Sequence, residues 1–165
     1  MRLNLPHVLV RLTGLGIASA ALFLLMGVAV ASAAPITVDT LFDVNDTGVD
    51  CASMVIGDLP GTDTKVSLRE AVCVTNNDAV ASVIIFSVSG TITFDAPTPQ
   101  ISEPDQLIID GGGNIVLDGN SGARGCFGTN LESSLVANVT IKGLTFQNFG
   151  EASLCVSGSG WTVGG

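Results

Sequence analysis

The feature that most constrains this chain is a short sequence that returns at nearly constant spacing. Asn-Ile-Val-Leu-Asp-Gly at residues 114–119 is followed 24 residues later by Asn-Val-Thr-Ile-Lys-Gly at residues 138–143. A degenerate third copy, Gly-Trp-Thr-Val-Gly-Gly, lies 22 residues further on at residues 160–165. Each copy is short, alternates in polarity and ends on glycine, which is typical of a strand followed by a turn. A period of this size predicts an all-β solenoid of stacked strand-and-turn coils that stops inside its third copy.

Residues 1–33 predict a signal peptide. Arg2 and Arg11 give a basic start, residues 12–34 carry no charge, and Ala-Ser-Ala at residues 31–33 supplies the small side chains that signal peptidase requires. An uncleaved membrane anchor is the alternative, because an uncharged run of this length can span a bilayer. In both cases the remainder faces an extracytoplasmic compartment, so we expect a secreted or cell-surface protein.

Removing this segment leaves a strongly acidic chain. Four basic and fifteen acidic side chains remain, a net charge of 4 − 15 = −11, and the only histidine is lost. Nucleic acid, anionic lipid and polyuronate would be repelled, so we expect no nucleic-acid partner, and membrane contact only through residues 1–33 or a missing C-terminal anchor. The lack of histidine excludes a Ser-His-Asp triad, a Cys-His pair and a typical zinc site, and we expect no cofactor.

Four cysteines lie in the exported part, where thiols are usually oxidised. Cys51, Cys73, Cys126 and Cys155 have no CxxC spacing, so metal binding and thioredoxin-like chemistry are not expected. Sequence alone does not choose among the three possible pairings. We favour Cys51 with Cys73 and Cys126 with Cys155, because each pair closes a loop of moderate length and would stabilise the fold by about 3 kcal/mol. Free, buried thiols are the alternative.

A polar, aspartate-rich stretch at residues 43–50 follows a first predicted strand at residues 36–42. Asp43 and Asn45 partly imitate an EF-hand calcium loop, but the twelfth position, which requires a carboxylate, is Met54, and no helices flank the segment. Asx-turns explain the composition with fewer assumptions, and calcium binding is the alternative.

Residues 67–70 predict the start of a helix. In the capping-box pattern Ser67-Leu68-Arg69-Glu70, the Ser67 hydroxyl accepts a hydrogen bond from the Glu70 amide, and the Glu70 carboxylate accepts one from the Ser67 amide. We expect a short helix from Leu68 to about Thr75 that places one modestly apolar face on the open first coil. No catalytic role is assigned to Arg69 or Glu70, because the capping geometry already occupies the acid.

Two further patterns predict strands and a corner. Residues 84–94 alternate cleanly between apolar and polar side chains, which indicates one long strand or two strands joined at Gly90. The next strand begins at residues 107–109. Across Gly143 the apolar positions shift phase, as a corner between two faces of a coil requires.

Val66-Ser67-Leu68-Arg69-Glu70-Ala71 resembles the CSLREA domain, the N-terminal module of many large exported bacterial proteins. Residues 107–112 and 139–148 resemble coils of the right-handed parallel β-helix in pectate-lyase-like and polymorphic outer-membrane proteins. The cysteine that gives the motif its name is Val66 here, so no disulfide pattern is carried over from the family.

These resemblances imply a division of the chain into three parts. Residues 1–33 are the signal peptide or anchor, and residues 34–80 are an N-terminal cap that carries the CSLREA-like motif. Residues 81–165 are the first coils of a right-handed parallel β-helix, truncated relative to proteins of this kind. The expected fold is therefore all-β, a solenoid with a short N-terminal capping helix.

Two classes of function follow. The first is a structural, adhesive or carbohydrate-binding surface protein without catalytic activity, whose partner is a carbohydrate or a host or cell-surface protein. The alternative is the N-terminal part of a pectate-lyase-like polysaccharide lyase or glycoside hydrolase. Glycosidases need two carboxylates about 5 to 9.5 Å apart, and only Asp110 and Asp118 lie near the repeat, both in Asp-Gly turns. Arg124 and Lys142 are the bases available to a lyase, but neither belongs to an acid cluster, so we expect no catalytic residue.

Overall fold

Short runs of β-branched and apolar residues form the strands of this protein. The computed structural model describes residues 34–77, 82–102, 106–121, 125–129, 138–150 and 152–165. Within these residues the strands, in chain order, are β1 (Ile36–Val38), β2 (Ser82–Phe86), β3 (Gly90–Thr93), β4 (Leu107–Asp118), β5 (Phe127–Gly128), β6 (Val139–Gln147), β7 (Leu154–Cys155) and β8 (Thr162–Gly164). Six of them form one parallel sheet in the order β1-β2-β4-β6-β8, with β3 also paired to β4. The second sheet pairs β5 with β7.

One row of apolar side chains runs across the buried side of the larger sheet. Successive register pairs connect five residues from β1 to β8: Ile36, Ile84, Ile109, Ile141 and Val163. The first four are buried, whereas Val163 on the last strand is 57% exposed. The core is therefore well covered toward β1 and exposed toward β8.

The pairing register between strands gives a spacing that differs from that of the sequence repeat. Leu107 pairs with Val139 and Ile115 pairs with Leu144, so the true offsets between β4 and β6 are 139 − 107 = 32 and 144 − 115 = 29 residues. The predicted 24-residue match is therefore wrong. The 22-residue match between the second and third copies is confirmed, because Thr140 pairs with Thr162.

A glycine-rich bulge in β4 explains why the two offsets differ. Residues 111–114 lie between the two paired parts of β4, and only Gly143 occupies the equivalent place in β6. Gly112, Gly113 and Gly143 all have positive φ, a conformation that glycine adopts without a Cβ clash. The predicted change of phase is present: Ile141 before this point is buried, and Phe146 after it packs against the same core.

Helix α1 (Leu68–Asn77) begins with the predicted capping box. The Glu70 amide donates to Ser67 Oγ at 3.1 Å, and the Ser67 amide donates to Glu70 Oε2 at 2.9 Å. The helix continues to Asn77, whose side-chain amide donates to the carbonyl oxygens of Cys51 at 2.7 Å and Met54 at 3.0 Å. This side chain therefore fixes the end of the helix against the segment that precedes it in the chain.

The helix is buried around most of its circumference. Seven of its ten residues are buried: Leu68, Glu70, Ala71, Val72, Cys73, Val74 and Thr75. The sequence predicted a single modestly apolar face, and that expectation is wrong because a second layer, which includes the 3-10 turn Cys51–Ser53, covers the other side.

The prediction of an all-β, right-handed parallel β-helix is also wrong. The structure is a mixed α/β fold, with a six-stranded parallel sheet, a second sheet of two strands, and a helix that contributes four of its hydrophobic side chains and a cysteine to the shared core. Strand periodicity located β2, β3, β4, β6 and β8, but β1 is shorter than the predicted residues 36–42, and β5 and β7 were not predicted. Periodicity did not predict that the strand segments on both sides of the glycine bulge join one sheet, because that depends on pairing between residues about 30 positions apart.

The three polar side chains of the CSLREA-like motif all bond to residues 43–46. Arg69 makes a bidentate pair with Asp43, with both distances 2.7 Å. Ser67 Oγ donates to the Val44 carbonyl oxygen at 2.5 Å, and the Asp46 amide donates to Glu70 Oε1 at 3.0 Å. Leu68 and Ala71, the apolar members of the motif, lie in the core.

The same contacts bear on the calcium alternative. Asp43 Oδ2 accepts hydrogen bonds from Arg69 and from the Asp95 amide at 3.0 Å, so the first residue of the imitated calcium loop is already engaged. Within the described ranges, no group of three or more metal-ligating side chains comes together.

Two disulfides connect the elements. Cys51 is bonded to Cys73 and Cys126 to Cys155, which are the sequential pairs that the sequence analysis favoured. They close loops with sequence separations of 22 and 29 residues, and each contributes about 3 kcal/mol in the chain-entropy model. The first ties the Cys51–Ser53 turn to α1, and the second crosses the β5–β7 sheet.

In the part of the chain that the structure describes, no helix is long and apolar enough to cross a membrane. The predicted signal peptide or anchor, residues 1–33, lies outside the described residues.

Replacing Asp43 by Asn tests the buried ion pair. Asp43 is 1% exposed and Arg69 is 16% exposed at the side chain, so the substitution leaves a largely buried guanidinium without its counter-charge. We expect the free energy of unfolding to fall by about 3 kcal/mol, measured by urea denaturation. Asp50→Asn, at an exposed position, is the control and should change it by less than about 0.5 kcal/mol. Equal losses would contradict the role given to the pair.

Replacing glycines in the bulge tests the close approach of β6 to β4. Gly112 and Gly143 have the same φ of 61°, but a Cβ at Gly112 meets open space, whereas a Cβ at Gly143 lies 2.8 Å from the amide nitrogens of Gly112 and Gly113. We expect Gly143→Ala to lower the free energy of unfolding by about 2 kcal/mol more than Gly112→Ala, in the same denaturation assay. Equal losses would show that the loss of stability comes from the positive φ alone and that the close contact of the added Cβ contributes nothing.

Candidate functional site

The outward face of the sheet beyond the glycine bulge carries two rows of mainly polar side chains. Register pairs define the rows: Thr93, Asp118 and Gln147 form one, and Thr91, Val116 and Thr145 form the other. The residues that alternate with them, such as Ile92 and Leu117, are buried. We call the first row, together with Asn148, the polar row.

Asp118 is the centre of the polar row. Its Oδ2 accepts hydrogen bonds from the side-chain amides of Gln147 and Asn148, both at 2.8 Å. Its Oδ1 accepts the Asn120 main-chain amide at 2.8 Å, which forms an Asx-turn after the strand. A single carboxylate therefore orients two amide side chains that the register brings to the same surface.

The orientation of the amides determines what the row offers to solvent. Because a carboxylate only accepts, Gln147 and Asn148 must present their NH₂ groups to Asp118, and their amide oxygens are left to accept other hydrogen bonds. Gln147, Asn148 and Thr93 are exposed, and within the described residues neither amide oxygen nor the Thr93 hydroxyl has a hydrogen-bond partner. The row thus combines two oriented acceptors with a hydroxyl that both donates and accepts.

Asp110, the second predicted carbohydrate residue, lies on the other side of the bulge. Its Oδ2 pairs with Lys142 Nζ at 2.9 Å, and its Oδ1 accepts the Gly112 amide at 3.0 Å. Asp110 therefore accepts a hydrogen bond within the bulge and forms an ion pair with Lys142 on the neighbouring strand β6.

The structure does not bring the two aspartates together. Asp110 is in register with Lys142 and Asp118 with Gln147, and the four residue-to-residue steps from Gly143 to Gln147 alone span about 13 Å of extended chain. A glycosidase pair lies within about 5 to 9.5 Å. Arg124 lies outside the described residues, and Lys142, the other base considered for a lyase, is paired with Asp110.

The ionisation of both aspartates also differs from that of a catalytic acid. The hydrogen bond and charge of Lys142, together with the Gly112 amide, hold the pKa of Asp110 below its ordinary value of 3.8. Hydrogen bonds from the Asn120 amide and then from Gln147 and Asn148 lower the pKa of Asp118. A general acid in glycoside hydrolysis requires a raised pKa, so neither carboxyl is suited to donate a proton.

Sequence reasoning missed Thr93, Gln147 and Asn148 as members of one site. The register brings Thr93 and Gln147 beside Asp118, and the Asn148 side chain bonds to the same carboxylate. An alignment of residues 115–118 with residues 144–147 was the signal that would have identified the polar row.

Comparison of the chain with protein-family models, with curated proteins and with solved structures finds no match.

Removing the amides should change the titration of Asp118. We expect its pKa to lie below 3.8 and to rise toward that value in the double variant Gln147→Ala/Asn148→Ala, because both side chains stabilise the carboxylate. The contribution of the Asp118 carboxylate to the free energy of unfolding is fully present above its pKa in the unfolded chain. It is lost as the pH falls through its lower pKa in the folded protein. The measurement is the carboxyl ¹³C shift of Asp118 by NMR. Thr145→Ala should leave the titration unchanged, and an Asp118 pKa above 3.8 in the parent protein would contradict the arrangement.

Proposed function

We propose that this chain is an exported surface module that binds carbohydrate without catalysing a reaction. The observation that carries the proposal is the polar row, in which Asp118 orients the amides of Gln147 and Asn148 beside the Thr93 hydroxyl. Carboxylate, amide and hydroxyl groups are the side chains that bond sugar hydroxyls, and here they share one outward face.

The spacing of the row suits a saccharide chain. Neighbouring strands lie about 4.8 Å apart, so the polar groups of β3, β4 and β6 repeat at roughly the width of one sugar ring. The row lies on paired strands whose opposite side chains are buried, and a site on such elements is held more precisely than one on loops.

The net charge of the protein limits the class of carbohydrate that it can bind. The sequence beyond residue 33 has a net charge of 4 − 15 = −11, which repels uronate-rich or sulfated glycans. A neutral glycan is therefore the ligand class that we propose. The two disulfides fit an oxidising, extracytoplasmic location.

The resemblance of residues 66–71 to the CSLREA domain is part of the same proposal. In this proposal residues 34–77 form an N-terminal base, which the hydrogen bonds and the ion pair of the motif hold together. The polar row is the binding surface that this base supports. The enzymatic alternative is disfavoured, because the two candidate carboxylates are apart and both are held ionised.

A glycan array followed by isothermal titration calorimetry tests this function. We expect binding to at least one neutral oligosaccharide, and we expect Gln147→Ala/Asn148→Ala to weaken it about tenfold or more through the loss of oriented hydrogen bonds. Thr162→Ala, which removes an exposed hydroxyl from β8, is the matched control and should bind as the parent protein does.

Two outcomes would overturn the proposal. One is the absence of binding to neutral glycans on the array while the protein remains folded. The other is release of reducing sugars or unsaturated uronates that is abolished by Asp110→Ala or Asp118→Ala, which would establish an enzyme.

A further inference from the structure

A cavity of about 370 Å³ lies beside β1, on the opposite edge of the sheet from β8. Its volume is within the range of small-ligand sites. Apolar side chains from the edge strand and from residues 56–66 form most of the wall, and Thr64 and two polar residues of the edge strand segment complete it. The wall includes the apolar residues Ile36, Ile56, Leu59 and Val66 and the polar residues Thr37 and Asp39.

The main chain of β1 is only partly paired at this edge. The Ser87 amide donates to the Val38 carbonyl oxygen at 2.9 Å, so in a parallel ladder Val38 directs its main-chain groups toward β2 and Thr37 directs its own away from β2. The Asp39 amide, which points the same way as that of Thr37, is taken by the Val66 carbonyl oxygen at 3.0 Å. No described residue bonds the main-chain N–H or C=O of Thr37 on this side.

The surroundings of the cavity are acidic. Residues 34–77 contain seven acidic and two basic side chains, a net charge of 2 − 7 = −5. Both basic residues are already paired, Lys65 with Asp39 at 3.3 Å and Arg69 with Asp43 at 2.7 Å. The remaining carboxylates include Asp58 and Asp63, which are sequence neighbours of the cavity residues Leu59 and Thr64. A partner of positive charge is therefore favoured.

We infer that this edge binds an extended basic peptide segment by strand addition. The main chain of the peptide would bond to the N–H and C=O of Thr37, as strands do when they extend an open sheet edge. An apolar side chain of the peptide would enter the cavity between Ile56 and Val66, and neighbouring lysine or arginine side chains would face the acidic surface. This interaction is separate from the polar row, which lies on the outward face of β3, β4 and β6.

The cavity wall provides a matched pair of test variants. Ile56 lines the cavity and is 58% exposed, whereas its neighbour Val55 is 50% exposed and does not line it. Ile56→Lys removes an apolar wall and adds a charge that repels the peptide, and Val55→Lys changes the net charge of the protein by the same amount. Since both side chains are already exposed, both variants should fold.

The experiment is fluorescence anisotropy of the labelled peptide acetyl-Lys-Val-Lys-Val-Lys-Val-Lys-amide with the full protein. We expect saturable binding that Ile56→Lys weakens about tenfold or more and that Val55→Lys changes less than about threefold. A peptide with glutamate in place of lysine, and one with N-methylated valines, should each bind at least about tenfold more weakly, because the first carries the opposite charge and the second lacks main-chain donors.

Three results would overturn the inference. Equal effects of the two lysine variants would mean that the peptide binds elsewhere on an acidic surface. Tolerance of N-methylation would exclude strand addition. Full competition by lysine amide alone would indicate a site for a small cation. Because Gln147→Ala/Asn148→Ala leaves this edge untouched, peptide binding by that variant distinguishes failure of the peptide site from failure of the glycan site.

Discussion

The rest of the structure depends on the buried ion pair between Arg69 and Asp43. Removing a guanidinium and a carboxylate from water is costly, and the cost is offset here by two hydrogen bonds of 2.7 Å and by the main-chain donors that Asp43 also accepts, Asp95 at 3.0 Å and Ala96 at 3.4 Å. The pair thereby joins three separate pieces of chain: the helix, the segment that covers it, and the turn after β3. The Ser67, Glu70 and Asn77 hydrogen bonds and the Cys51–Cys73 disulfide hold the same layer against the helix, but none of them reaches the turn after β3.

The glycine bulge has a comparable role at the other end of the sheet. Because β4 carries three more residues than β6 between their paired parts, both strands bend and then resume pairing in a new register. The new register brings Asp118 beside Gln147 and places Thr93 on the same face. The polar row is thus a consequence of the bulge, and the Asp110–Lys142 pair stabilises the bend that makes the row possible.

Several local features were predictable because their causes are local. The capping box, the start of the helix, the phase change at Gly143 and the beginning of β3 at Gly90 each depend on a few adjacent residues, and the structure contains all of them. The first strand is shorter than predicted, with three residues where the alternation suggested seven, and the Asp39 that follows it bonds to Val66 through its main-chain amide and its side chain. The solenoid and the 24-residue register were wrong, since an apparent repeat of six residues does not determine which partner strand forms the lower-energy pairing.

The sequence by itself determined the strands β2, β3, β4, β6 and β8, the helix and its cap, the acidic charge and the positions of the cysteines, because these follow from side-chain chemistry and short-range periodicity. Tertiary structure alone decided that the helix is buried on two sides, that the strands share one parallel sheet, and that Asp118 meets Gln147 while Asp110 meets Lys142. The physical reason is that these contacts join residues about 25 to 50 positions apart, and their free energy depends on register, burial and charge pairing that exist only after the chain has folded.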